Sequence, residues 1–203
     1  MDLRQKIIEC ASSLFFKNGI KSMTMSDIAA EAGISKRTLY ETFRDKDDLL
    51  EACIDNHIQK SDREIAKIIE SDENVIVTLM RFHSLQLTTR WSVGRTIAND
   101  LRRYHRELYL RVEAQQNHKI STFIPLLEKG IKQGLIRKDT PFDILLWLFS
   151  QQMRTMLDDE RVLNEHYSLI DYLSAMTLNF IRGMATPRGV ELMDNILKKE
   201  KKR

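Results

Sequence analysis

Apolar residues recur every three or four positions along most of the chain, the spacing that lays a stripe along one face of an α-helix. Leu3, Ile7, Ala11, Leu14 and Phe15 form the first stripe, and Asn18-Gly19 ends it. The next segment, TMSDIAAEAG, opens on Thr24 with Asp27 three residues on, a capping-box-like start. It closes at Gly33, where a residue without Cβ can take a positive φ. Ser35 caps a second short helix that runs to about Thr42. Asp45, with Asp48 behind it, caps a third that runs long, to about Glu70. Further helices are predicted over about 73–90, 94–103, 106–133, 141–157, 167–184 and 187–199. GLIRKDTP (134–141) is the clearest loop, Gly134 ending one helix and Pro141 opening the next.

Breakers are scarce, with 3 Pro and 7 Gly in 203 residues, and alternating β-branched runs are scarce too. The expected class is all-α. A small N-terminal three-helix domain spans 1–50 and a larger helical domain spans 51–203. No apolar run approaches the ~20 residues of a membrane span, and the amphipathic N-terminus lacks a signal-peptide pattern. A cytoplasmic protein without a membrane partner is expected. Cys10 shares a face with Ile7 and Leu14, and Cys53 sits beside Leu49, Leu50 and Ile54. Both read as buried, reduced thiols rather than a disulfide framework.

The net charge of +3 says less than its placement: the tail 198–203 carries +4, and residues 1–50 hold eight Lys/Arg against eight Asp/Glu. Any nucleic-acid contact must come from a local patch rather than a bulk basic field. The two short helices supply one. Neither can bury a core alone, and joined by a tight Gly-containing turn they make a helix-turn-helix, whose second helix enters the DNA major groove. Leu39 and Phe43 form its inner face with Ile28, Ala29 and Ala32, which leaves Lys36, Arg37, Thr38, Tyr40 and Glu41 outside. Cationic and hydroxyl side chains on an outer face suit phosphates and base edges. Glu41 does not, and is expected to pair with Arg37 four residues earlier.

Residues 24–50 resemble the DNA-binding signature of TetR-family transcriptional regulators. The resemblance rests on Thr24, Ile28, Ala29, Ala32, Gly33, Ile34, Ser35, Thr38, Leu39, Tyr40, Phe43, Lys46 and Leu49 at the family's spacing. Thr42 stands where Tyr or His is common, Asp45 where Ser or Asn is common, and Arg37 where a small residue is common. The resemblance implies that Thr24 and Ser26 meet backbone phosphate and that Tyr40 and Lys46 hold phosphates on either side of the groove. Lys36, Arg37, Thr38 and Glu41 then lie at base edges or nearby phosphates. With Ser35, these residues are the candidate DNA-binding set. The partner implied is a double-stranded, pseudo-palindromic operator.

The family resemblance also implies a homodimer built through two C-terminal helices, and a small-molecule effector bound in the body. FDILLWLFSQQMRTML and YSLIDYLSAMTLNFIRGM fit the dimerisation role, the first being apolar on more than one face. Their candidate interface residues are Leu145, Phe149, Met153, Leu173, Met176 and Phe180. Candidate pocket residues are Phe82, His83, Leu87, Trp91, Tyr104, Phe123, Trp147 and Gln151, a mixture of large apolar bodies and polar tips. DLRRYHRELYLR (100–111) reads as a solvated face with local acidic pairing. No metal-ligand spacing, phosphate loop or nucleophile elbow is present, so neither metal, cofactor nor enzymatic activity is expected. The expected function is a ligand-responsive repressor. The alternative is a DNA-binding regulator switched by a protein partner or by oxidation of Cys10 and Cys53.

Overall fold

A computed structural model of the chain describes residues 2–89, 94–158 and 168–200. Among these, eleven α-helices follow one another: α1 (Leu3–Asn18), α2 (Met25–Glu31), α3 (Lys36–Thr42), α4 (Lys46–Ile69), α5 (Val75–Thr89), α6 (Gly94–Tyr104), α7 (Arg106–Ser121), α8 (Ile124–Lys132), α9 (Phe142–Asp158), α10 (Leu169–Met184) and α11 (Pro187–Glu200). The only β feature among them is an isolated antiparallel bridge between Ile136 and Ala185. The all-α expectation holds.

One boundary expectation fails. A single helix was expected over 106–133, but α7 ends at Ser121 and α8 starts at Ile124. Pro125 is the cause: it sits in the first turn of α8, where its missing N–H costs nothing, and it cannot continue a helix from the residues before it.

The chain divides into two compact units. The first comprises Met1–Glu64 and Val93–Arg111, the second Ile65–Ser92 and Val112–Arg203, so the division falls within α4 and α7. In the first unit the buried side chains are Ile7, Ile8, Ala11 and Phe15 of α1, Ile28 and Ala29 of α2, Leu39 and Phe43, Leu49, Leu50 and Cys53 of α4, and Ile97 and Leu101 of α6. The short helices α2 and α3 cannot persist by themselves, so this shared core fixes their directions. In the second unit Val75, Ile76, Leu79 and Met80 of α5 pack with Leu126 and Leu127 of α8, Ile181 and Met184 of α10 and Met193 of α11. Gly134, at φ 69°, ends α8. The chain then pairs with the end of α10, Arg137 N–H donating to the Met184 carbonyl and Thr186 N–H to the Leu135 carbonyl, at 2.9 and 3.0 Å.

Candidate nucleic-acid interface

The local chemistry around α2 and α3 is a series of closed caps. Thr24 Oγ1 accepts the Asp27 N–H at 3.2 Å and donates to Asp27 Oδ2 at 2.6 Å, while the Thr24 N–H donates to the same oxygen at 2.9 Å. These bonds hold the Asp27 carboxyl below its ordinary range. At the far end of α2, Gly33 takes φ 65°, and Ile34 N–H returns to the Ala29 carbonyl at 3.0 Å. Ser35 Oγ then accepts the Thr38 N–H at 3.0 Å and opens α3. The turn is therefore tied at both ends, and α3 is carried at a fixed angle on α2.

Leu39 and Phe43 are fully buried, with Ile28 and Ala29 beneath them, as the spacing predicts. Lys36, Arg37, Tyr40 and Glu41 are exposed, with Tyr40 half open to solvent. Thr38 is half-buried, and Ala32 is half-buried rather than core. Arg37 Nε donates to Glu41 Oε1 at 2.8 Å, the expected pairing. Arg4 lies over the Phe43 ring, 5.0 Å from its centroid, and adds a cation from α1. Before α4, Arg44 N–H donates to Asp48 and Asp48 N–H to Asp45, at 2.9 and 2.8 Å. The Asp48 N–H and the Arg44 guanidinium hold the Asp45 carboxyl low. Lys46 is half-buried; burial lowers its pKa, against the pull of Asp47 and Asp100.

The family model for bacterial regulatory proteins of the tetR family matches residues 7–53, the stretch that holds Thr24, Ile28, Gly33, Leu39, Tyr40 and Lys46. The chain carries a TetR-family DNA-binding domain. It is a helix-turn-helix transcriptional regulator and not an enzyme. Similarity to known regulators extends beyond the matched segment. The HTH-type regulator YvaF of Bacillus subtilis is 24% identical over 163 residues, covering 76% of this chain and 82% of its own. The repressor KstR2 of Mycobacterium tuberculosis is 21% identical over 152 residues, covering 70% and 73%. A transcriptional regulator from Saccharomonospora viridis, solved in complex with choline, is 25% identical, with a TM-score of 0.68 over 90% of this chain and 97% of that one.

The described residues offered for a pocket fall on α5, α6, the N-terminus of α8 and α9. Phe82 and Phe123 meet edge to face, centroids 4.7 Å apart. His83 is buried on α5, its Nε2 3.1 Å from Ser174 Oγ of α10. Nδ1 is buried without a partner among the described residues, and burial pushes the His83 pKa down against the pull of Glu200. One helical turn on, Thr177 donates to Gln86 at 3.2 Å. Leu87 packs at the small cluster of Met156 and Leu173, and Gln151 is half-buried on α9. Tyr104 lies in the first unit instead, its hydroxyl 3.3 Å from Lys21 Nζ. Trp147 is 60% exposed. Trp91 falls outside the described residues.

Of the expected dimerisation residues, Leu173 is the one that is fully buried in the protomer, while Leu145, Phe149, Met153, Met176 and Phe180 are half-buried. Leu173 is completely buried within its own unit, and Leu145, Met153 and Met176 pack against core residues of that unit. Phe149 and Phe180 stack edge to face at 5.0 Å, between α9 and α10. Among the described side chains of α9 and α10, the large apolar ones left exposed are Ile144, Trp147 and Leu148 of α9 and Ile170 of α10. None of these four is in the expected interface set, although 144, 147 and 148 have the i, i+3, i+4 spacing of a single stripe. The arginines of 100–111 are partly spoken for: Arg111 bridges Glu51 and Asp55 of α4 at 2.9 and 3.0 Å. No helix among the described residues is long and apolar enough to cross a membrane.

Proposed function

We propose that this TetR-family chain is a cytoplasmic repressor that binds a pseudo-palindromic operator as a homodimer and releases it when a small, largely apolar molecule enters the body. The observation that carries the DNA half is the outer face of α3, whose Lys36, Arg37 and Tyr40 are exposed while Leu39 is buried. Residues 1–50 read the operator, with Thr24, Ser26, Tyr40 and Lys46 on phosphate and Lys36, Arg37, Thr38 and Glu41 at the base edges, Ser35 holding α3 in place. Residues 51–203 bind the effector and dimerise. The exposed stripe of Ile144, Trp147 and Leu148 supports dimerisation, because a solvent-facing Trp beside two aliphatic side chains gains by burial. Repression follows the precedent of KstR2, a named repressor. A small effector follows the S. viridis regulator that holds choline, and Phe82, His83, Leu87, Phe123 and Gln151 supply a mainly apolar lining.

Selection from random DNA tests this reading. An enriched site with two half-sites about 34–36 Å apart is expected, and no enrichment would overturn it. Switching by cysteine oxidation is the weaker reading: burial pushes the Cys53 thiol up to about 11 and raises Cys10 as well, and the reactive form is the thiolate.

A further inference from the structure

Asp100 lies on α6, but its carboxylate serves a turn eighty residues earlier. Its Oδ2 accepts the N–H of Ile20 at 2.7 Å and the N–H of Lys21 at 3.2 Å. Both donors belong to the turn between α1 and α2, where Gly19 has φ 84° and Ile20 is buried. Three residues after Lys21, Thr24 opens α2. Lys21 is held a second time, its ammonium 3.3 Å from the Tyr104 hydroxyl and 5.2 Å from that ring's centroid. The sequence offers no hint of this, since Asp100 lies outside the helix-turn-helix signature.

We propose that Asp100 is a positioning residue for DNA binding: by accepting the Ile20 and Lys21 N–H groups it fixes the α1–α2 turn, and with it the start of α2, without touching DNA itself. The proposal rests on the DNA-binding reading above. The bonds matter because the acceptor is charged, which strengthens both, and the bond from Ile20 is short at 2.7 Å. Without the acceptor, the buried Ile20 N–H is left without a partner, and the turn must rearrange to satisfy it. The cost of using a carboxylate is electrostatic: an anion in the reading unit is repelled by phosphate. An amide at the same place keeps an acceptor oxygen and loses that repulsion. Bonding and charge therefore separate by substitution, which a residue with only a packing role would not allow.

The test compares wild type, Asp100→Ala and Asp100→Asn on the selected operator and on a random-sequence duplex, by fluorescence anisotropy. Asp100→Ala should lose about tenfold in operator affinity while its affinity for random duplex stays level or rises. Asp100→Asn should recover operator binding to within about threefold of wild type and bind random duplex more tightly than wild type does. A folded Asp100→Ala protein with wild-type operator affinity overturns the proposal, and so does an Asp100→Asn protein no better than Ala. If the Ala variant does not fold, Asp100→Asn decides together with amide exchange. The Ile20 and Lys21 amides must be protected in both wild type and Asn, and unprotected wild-type amides overturn the proposal. A wild type that selects no DNA defeats the underlying reading, and the proposal with it, before any variant is made.

Discussion

Arg37 and Glu41 are joined across one turn of α3, Nε to Oε1 at 2.8 Å, on the face turned away from the core and with both side chains mostly in water. An ion pair so exposed adds little to stability. It does hold the guanidinium at a fixed place and cancels its charge. Glu41→Gln should therefore leave the melting temperature unchanged and raise affinity for DNA of any sequence. The logarithmic salt slope should steepen by up to about one unit, as a released Arg37 displaces one more counterion. Binding titrations at several salt concentrations check this; an unchanged slope would mean that the outer face of α3 does not meet DNA.

Lys46 and Tyr40 should behave differently from Lys36, Arg37 and Thr38. Lys46→Ala and Tyr40→Phe should weaken binding to all sequences alike, with Lys46→Ala flattening the salt slope by about one unit. Substituting Lys36, Arg37 or Thr38 should change which bases are preferred. Repeating the random-DNA selection with each variant separates the two groups.

What the sequence made legible was local. The Thr24–Asp27 capping box, the positive φ of Gly33 and the burial of Leu39 and Phe43 all follow from residues within four positions of one another. The Pro125 break was equally local, but a long apolar period across it masked the signal. The bond from Asp100 to Ile20 joins residues eighty apart, and periodicity carries no such information. Nor does it tell an apolar side chain that meets its own core, such as Leu173, from one such as Trp147 that does not.

Two glycines separate packing from backbone freedom. A Cβ on Gly189 would run into the Leu135 carbonyl oxygen, with Ala185 Cβ at 3.1 Å and Ile76 Cδ1 at 3.4 Å leaving nowhere to move. Gly189→Ala should cost about 1–3 kcal/mol. A Cβ on Gly183 of α10 meets nothing within 4 Å, so Gly183→Ala should stabilise by about 0.5–1 kcal/mol through helix propensity. Urea unfolding should show opposite shifts in midpoint with the same slope.

Cys53 links stability to alkaline pH. Its thiol rises from 9.0 to about 11, chiefly through burial. Folding thus favours the neutral thiol, and the stability this contributes is whole below pH 9 and is lost as pH climbs towards 11. Between those limits wild type should lose of order 2 kcal/mol more than Cys53→Ala, read from unfolding free energies at matched pH. The same lack of thiolate predicts that peroxide at neutral pH leaves operator affinity unchanged. A peroxide-sensitive affinity that disappears in Cys53→Ala would favour the oxidation switch instead.

Trp147 offers a test of where the proposed subunits meet. It projects from α9 at 60% exposure, between Ile144 and Leu148, while Phe149 is taken up by its edge-to-face contact with Phe180. A carboxylate at 149 would break a stack inside the protomer as well as any interface, so Phe149→Glu confuses two effects. Trp147→Glu does not, because in the isolated protomer its side chain stands in solvent. In a dimer sealed through this face the new carboxylate would be buried unpaired, at a cost of several kcal/mol for each of two symmetric copies. Trp147→Glu should therefore sediment as a monomer with an unchanged helical circular dichroism spectrum. With only one reading head per particle it should lose about a hundredfold or more in affinity for the two-half-site operator, and much less for a single half-site. A Trp91→Phe background leaves Trp147 as the sole tryptophan, and dilution of that protein should shift its emission to the red as the indole returns to water. A Trp147→Glu protein that remains dimeric, with full operator affinity, places the interface on another face.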